Sequence, residues 1–475
     1  MDKSLFFRTL TKTFSHRPTR SQEAALRLLA DFLLDNESPA PVFLLKGYAG
    51  TGKTSITNCL VKCLPIIRFK SILLAPTGRA SKVMSAFAQQ QAYTIHKFIY
   101  YHQNDAQNGM NFVRKPNKYR NTLFIVDEAS MIGDTPDGYN SLLDDLINYV
   151  YSGTDCKLLF LGDTAQLPPV NAYESPALNS SYLSLNYGKN TIETELTEVV
   201  RQKAQSGILA NATHLREMLP NSCSDFLFDI NNYTDIQQLT QGMDIQEALQ
   251  DAYSYDGAEQ TAVIVRSNKR AVLYNKQIRN VILGNDDELS TGDLLMVVKN
   301  NYYWLKDSTQ VSFIANGDTL ELLQIYTYKE WYGFRFAEVK VRLVDYPEQT
   351  PFDTILLLDT LESESPALPQ EDAYRLYQEV MQDYIDETSN RNRHQKTKEN
   401  PYFNALQVKY SYAITCHKSQ GGQWKNIFIE KPYIPDGQDD NYLRWLYTAL
   451  TRATQKVYLI GYKDEDFTEN SLYED

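Results

Sequence analysis

The chain has 475 residues, 43% of them hydrophobic and 22% charged, with a formal net charge of −12. That length exceeds what one hydrophobic core organises, so two or more domains are expected, in a composition typical of globular protein. No run of about 18 apolar residues marks a membrane span, and the N-terminus lacks the apolar core of a secretory signal. A cytoplasmic protein with no membrane partner is therefore expected, and the acidic balance argues against a general coat for polyanions.

The first 200 residues alternate short apolar runs with polar, helix-like stretches. The runs are VFLLK (42–46), SILLA (71–75), TLFIV (122–126) and KLLFL (157–161). They are rich in Val, Ile and Leu and do not alternate, as befits strands buried on both faces, so a parallel α/β sheet is predicted. A polar segment at 100–121 interrupts the series and reads as an inserted loop or hairpin. Residues 206–257 read as a helical connector. A second α/β series follows in TAVIV (261–265), LLMVVK (294–299), LQVKYSYAIT (406–415), NIFIE (426–430) and KVYLIGY (456–462). Between its halves, 319–404 has a different texture. DTLELLQIYTY and VKVRL alternate with period two, which predicts half-exposed antiparallel strands. EDAYRLYQEVMQDYIDE (371–387) has helical spacing at Tyr374, Tyr377, Val380/Met381 and Tyr384/Ile385, and TSNRNRHQKTKEN reads as an exposed turn.

The division predicted is a first α/β domain at 1–205 with an insert at about 100–121, and a connector at 206–257. A second α/β domain spans 258–318 and 405–475, split by an insertion at 319–404. The five cysteines, Cys59, Cys63, Cys156, Cys223 and Cys416, form no metal-binding pattern and are expected to be reduced thiols.

Three motifs follow strands of the first series. GYAGTGKT (47–54) matches a phosphate-binding loop between a strand and a helix. Gly47, Gly50 and Gly52 let backbone N–H groups curl around phosphates, with Thr51 in the same loop. Lys53 would reach the β/γ-phosphates, and Thr54 would hold Mg²⁺. LFIVDEAS (123–130) delivers Asp127 and Glu128 to the carboxyl end of a strand, where open α/β sheets bind ligands. Asp127 suits the metal shell and Glu128 the activation of water. Together these motifs imply hydrolysis of a nucleoside triphosphate. LGDTAQLPPV (161–170) brings Asp163 and Gln166 to the end of another strand. The Gln166 amide can hydrogen-bond a γ-phosphate and lose it on hydrolysis, and the prolines stiffen the chain beyond it, so the segment reads as a sensor.

Charge is unevenly distributed. Residues 61–120 hold ten Lys or Arg and a single acid, Asp105, which suits a focused polyanion site. Within that block, APTGRASKV (75–83) places Thr77, Gly78 and Arg79 after a strand and AYTIHKF (92–98) adds Thr94, His96, Lys97 and Phe98. Hydroxyls, cations and a stacking face in this order suit a single strand of nucleic acid.

The ordered set GYAGTGKT, LAPTGRASKVM, AYTIHKF, LFIVDEAS, LGDTAQLPPV, LTEVVRQ, YAITCHKSQGGQW and YTALTRA resembles superfamily 1B helicases of the RecD and phage Dda type, over about residues 19–462. The resemblance implies two RecA-like domains with ATP between them, a pin-like insert in the first, and an SH3-like β insert in the second. It implies an ATP- and Mg²⁺-dependent helicase that moves 5′→3′ on single-stranded DNA and opens junctions with duplex. Roles in DNA repair or recombination and a monomeric state are expected with it. Residue by residue, it implies that Gln22 in RPTRSQEAAL reads adenine and Gln166 senses the γ-phosphate. Arg201 and Arg452 act as arginine fingers, and Thr415, His417 and Lys418 face DNA from the second domain. Phe112 or Met110 is the candidate wedge of the pin, and 371–387 extends a minimal barrel towards a tower. A superfamily 1 RNA helicase, or a module that uses ATP as a switch, are the alternatives.

Overall fold

The computed structural model describes residues 2–35, 41–105, 109–134, 141–170, 172–198, 206–219, 225–306, 308, 313–435 and 437–468, with side chains at 102–112 outside the description. Arg201, Cys223, and the side chains of Met110 and Phe112 therefore lie outside the described residues.

The non-alternating apolar runs do form buried parallel strands. In chain order they are β1 (Val42–Gly47), β2 (Lys70–Ala75) and β3 (Ala92–Thr94), then a hairpin of β4 (Tyr100–Asp105) and β5 (Gly109–Arg114), then β6 (Arg120–Val126), β7 (Thr154–Gly162) and β8 (Thr191–Leu196). The first sheet has the order β3-β2-β6-β7-β1-β8, all parallel. Phe43, Leu45, Ile125 and Leu159 point into one core, and Leu44, Phe124, Val126 and Phe160 into the other, so each face is sealed by helices. GYAGTGKT, LAPTGRASKVM, AYTIHKF, LFIVDEAS and LGDTAQLPPV all lie at the carboxyl edge of this sheet.

The second half is β9 (Ile236–Leu239), β10 (Thr261–Val265), β11 (Leu294–Val297), β12 (Thr319–Trp331), β13 (Phe334–Leu343), β14 (Phe352–Leu357), β15 (Leu406–Tyr410), β16 (Ala413–Thr415), β17 (Trp424–Glu430) and β18 (Ala453–Ile460). A parallel sheet runs β16-β10-β17-β18-β9, and β11 to β15 close a barrel. Two parallel-sheet α/β domains with a small β insert are the fold class that was expected.

Three details differ from the sequence reading. LLMVVK and the first half of LQVKYSYAIT were expected in the second sheet, but they are the barrel strands β11 and β15, which pair with each other. A run buried on both sides looks the same in either setting, and only the pairing partner separates them. The 206–257 segment is not simply a connector, because its β9 pairs with β18 at the edge of the second sheet. TSNRNRHQKTKEN is not a turn: Asn390–Glu399 is a helix with Ser389 accepting at its N-terminus, and Arg393 donating to the Tyr384 and Ile385 carbonyls.

The barrel and the second sheet share one core, in which Val263 and Val265 meet Leu295, Leu320, Val339 and Leu406. The barrel is therefore welded to that sheet rather than tethered. Helix Gln370–Gln382 covers the barrel's outer face through Leu376 and Val380. Tyr374, expected on the buried stripe, is 63% exposed.

Candidate functional site

A cleft of about 760 Å³ opens between the carboxyl edge of the first sheet and the second sheet. Its first wall is the phosphate loop. Gly50 (φ 76°) and Gly52 (φ 94°) take the left-handed conformation that L-residues avoid, which turns the loop into helix Lys53–Cys63. Lys53 Nζ donates to the Gly47 and Tyr48 carbonyls, and Thr51 Oγ1 donates to Tyr48 O at 2.8 Å. The loop is thus folded on itself with its cation inside the curl.

Gln22 supports the loop from behind. It is fully buried, takes the Thr19 N–H on Oε1 at 3.0 Å and donates Nε2 to Thr51 O at 2.8 Å. Thr19 in turn caps helix Arg20–Leu34 in a capping box. Both amide ends of the residue expected to read adenine are therefore engaged inside the protein, each keeping one further hydrogen-bonding position. Glu198, in LTEVVRQ, accepts the backbone N–H and hydroxyl of Ser21 at 2.8 and 2.7 Å, and these bonds with Thr19 hold its carboxyl down at about 2. A carboxylate at a helix N-terminus is favoured by the helix dipole.

The acid pair forms the second wall. Asp127 Oδ1 accepts the Glu128 N–H at 2.8 Å, and Glu128 has a left-handed backbone (φ 52°) without being glycine. Such a conformation at a non-glycine costs free energy and clusters at functional sites. Burial pushes both carboxyls up; the Glu128 N–H and then Lys53 pull Asp127 back, while Arg452 and then Lys53 do so for Glu128.

The second domain supplies the third wall. Arg452 is 4% exposed, and its guanidinium lies 3.9 Å from Glu128 Oε1, held by the Thr448 and Gly422 carbonyls. Gln166 is 6% exposed, lines the same cleft, and its Oε1 is buried without a hydrogen-bond partner. Asp163 is fixed by two elements at once. Its Oδ1 accepts Ala165 N–H at 3.0 Å and its Oδ2 accepts the Tyr447 hydroxyl at 2.7 Å.

Tyr447 was missed from sequence. Its hydroxyl also accepts the Ala49 N–H at 2.9 Å, so one atom of the second domain holds both the phosphate loop and the GDTAQ segment. Its helical neighbours do the same work: Arg444 donates to Thr164 O, and Thr448 Oγ1 accepts Leu167 N–H at 2.8 Å. Gln420 Nε2 reaches Leu167 O at 2.7 Å. The signal was present in RWLYTALTR, where Arg444 and Thr448 lie one turn apart on helix Asp440–Leu450 and Arg452 follows just past its end.

Asp127 and Thr54 both line the cleft beside Lys53. A carboxylate and a hydroxyl suit a hard divalent cation that takes its remaining oxygens from phosphates and water. The donor set therefore fits magnesium.

A second cavity, about 430 Å³, runs between the first sheet, the GDTAQLPPV segment, the barrel loop at 313–317 and residues 417–420. Thr77, Thr94, His96, His417 and Lys418 line it. Thr77 caps helix Gly78–Ala88 and Thr94 caps helix Ile95–Ile99. The other residues assigned to nucleic acid lie apart from this lining. Arg79 stacks over the Trp424 ring at 4.2 Å, and Lys97 lies 5.8 Å over Tyr346. Gly78 faces Asp318 and Tyr346 of the barrel side, where a Cβ would lie 2.2 Å from Asp318 Oδ1. Thr415 borders a smaller cavity beneath Lys418. Phe98 packs against Tyr93, Tyr119, Phe124 and Tyr149 at ring distances of 5.4 to 6.1 Å, so its ring serves the aromatic core of the first domain. Among the described residues no helix is long and apolar enough to cross a membrane.

Two family models match the chain: an AAA domain over residues 33–172 and a UvrD-like helicase C-terminal domain over 410–460. The ATP-dependent DNA helicase dda of Enterobacteria phage T4 is 25% identical over 88% of this chain and 93% of its own length. The ATP-dependent RecD2 DNA helicase of Deinococcus radiodurans is 32% identical, over 38% of this chain and 22% of its own. Among solved structures, a Bacteroides Pif1 helicase in complex with ADP-AlF3 and ssDNA is similar at a TM-score of 0.47 and 16% identity, covering 94% of each chain.

Proposed function

We propose that this chain, a relative of the RecD- and Dda-type helicases of superfamily 1B, is an ATP-dependent DNA helicase that travels 5′→3′ on one strand. The observation that carries this reading is the approach of Arg452 from the second domain to Glu128 of the first, beside the phosphate loop. A switch needs only one nucleotide-binding domain. Here the catalytic set is complete only when two sheets close on one cleft.

In this reading the loop N–H groups and Lys53 hold the triphosphate, and Thr54 with Asp127 hold magnesium, which when bound neutralises charge on the β- and γ-phosphates. Glu128 accepts the proton of the attacking water. Burial pushes its carboxyl up, which makes its carboxylate a better base. Arg452 leaves Glu128 for the transferring phosphoryl oxygens, a contribution worth roughly 10³–10⁵ in rate for arginine fingers generally. Gln166 turns its partnerless Oε1 and its amide toward the water and γ-phosphate. Loss of that phosphate would be felt through Asp163, Leu167 and the stiff Pro168-Pro169 beyond, which border the second cavity. That cavity takes the single strand, with Thr77 and Thr94 contacting it from one domain and His417 and Lys418 from the other. Arg201 is assigned as a second finger, and the 100–121 hairpin as the pin.

Comparing stimulation of the ATPase by single-stranded DNA and by single-stranded RNA tests the substrate. Strong stimulation by DNA alone supports the reading; stimulation by RNA alone makes the chain an RNA helicase. Slow hydrolysis indifferent to both would leave only an ATP switch.

A further inference from the structure

Two ammonium groups meet at the seam between the barrel and the second sheet. Lys409 projects from β15 of the barrel and Lys418 follows β16 of the sheet, and both border one small cavity with Asn268 and Thr415. Their charges oppose each other, and burial together with that repulsion pushes Lys418 down to about 8, while burial alone pushes Lys409 down to about 8.

Neither has a carboxylate partner among the described residues. Lys409 Nζ donates to the Ser363 carbonyl, and Lys418 Nζ to the Asn316 side-chain oxygen, both neutral acceptors. Glu362, beside Ser363 in the chain, is paired with Lys276 at 2.7 Å instead. A half-buried cation without a counter-charge is costly, and two sharing one cavity cost more. Such an arrangement is stabilised by an anion brought from outside.

The position of Lys418 identifies the anion. Lys418 also lines the cavity assigned to the single strand, on the side away from the nucleotide cleft. The nucleotide's phosphates are held in that other cleft, leaving the strand backbone as the polyanion within reach.

We propose that Lys409 and Lys418 together form a backbone-phosphate subsite for the bound strand, so that the barrel takes part in the second domain's grip. This rests on the reading of the second cavity as the strand path. It extends the contact set to a barrel residue that the helicase motifs do not include. Lys418 and Lys409 each bring one positive charge to the strand backbone, Lys418 at the wall of the strand cavity and Lys409 from the barrel side. Because the barrel shares its core with the second sheet, this grip moves with that sheet as one body.

The test is the salt dependence of oligo(dT) binding by the full chain, measured by fluorescence anisotropy from about 50 to about 300 mM NaCl. For single strands each neutralised phosphate contributes about 0.7 to the slope of log K against log salt. Lys409→Gln is expected to make the slope shallower by about 0.7 and to weaken binding about fivefold near 100 mM. Lys409→Arg should keep the wild-type slope, because it preserves the charge. An unchanged slope in Lys409→Gln overturns the proposal. So does a lower Tm with an unchanged slope, which would mean that Lys409 only braces Ser363. Failure of the wild-type chain to bind oligo(dT) at all would instead overturn the assignment of the strand path on which the subsite rests.

Discussion

Tyr447→Phe removes a single oxygen from the seam between the domains. The ring stays, so no cavity opens in the core it occupies with Trp445 and Leu446. What is lost is the hydroxyl that accepts Ala49 N–H at 2.9 Å and donates to Asp163 at 2.7 Å. Leaving a buried neutral donor unmet costs about 1–3 kcal/mol, and the half-buried Ala49 N–H falls at the low end, while a hydrogen bond to a charged group contributes about 1.5–3 kcal/mol. Asp163 keeps its bond from Ala165, so the combined loss is placed at roughly 2–4 kcal/mol. If it falls on closure of the cleft, the closed population drops by about 30- to 900-fold at 1.36 kcal/mol per decade. The assay is steady-state ATP hydrolysis with saturating oligo(dT), in which kcat/KM should fall at least about tenfold. Asp163→Asn combined with Tyr447→Phe should add little to either single change, because both break the same contact. Each sheet retains its own core, so Tm should move by only a few degrees. A kcat/KM within about twofold of wild type would refute the reasoning, since it would mean that the clasp carries no coupling.

Three further outcomes follow from the same geometry. Gln166→Ala should bind ATP and oligo(dT) as the wild type does but consume more ATP per base pair opened, read as the ratio of phosphate release to strand separation. Arg452→Ala should lower DNA-stimulated kcat by about 10³-fold or more with ATP affinity little changed, and Arg452→Lys should recover only part of it. Asp318, buried beside Gly78 and Asp345, has its carboxyl pushed up to about 8, mainly by burial and then by Asp345. An unfolded Asp titrates near about 3.9, so between these values the folded chain holds a proton that the unfolded chain has lost. Stability from this group therefore falls as pH rises through that window, and the cost is complete above about 8. Asp318→Asn should raise Tm relative to wild type at pH 8 and much less at pH 4.5, by calorimetry; an equal gap at both values would contradict the burial argument.

The motor edge of the first sheet was legible because its chemistry is local. Glycines that need a left-handed backbone, a lysine at a helix start and acids at a strand end sit within a few residues of each other. The barrel boundaries were not legible, because β11 and β15 are as apolar as sheet strands and differ only in what they pair with. β9 was hidden for the opposite reason: its IQQL is short and polar, which an edge strand tolerates. Gln22 shows a different limit. Its place in the cap of helix Arg20–Leu34 was visible as T-R-S-Q, but not its second bond to Thr51 across 29 residues. Phe98 looked free to stack on bases because an aromatic residue after a basic block reads the same whether its ring faces a channel or a core. Tyr447 opens the YTALTRA motif, but nothing in the motif showed that its hydroxyl would meet two segments of the first domain.

Strand separation on duplexes carrying a single-stranded tail at the 5′ or the 3′ end, with ATP and magnesium, tests the central claim most directly. ATP-dependent separation is expected from the 5′-tailed duplex only, abolished in Lys53→Ala. Separation from the 3′ tail alone would contradict the direction, and no separation from either, with ATPase intact, would contradict the helicase itself.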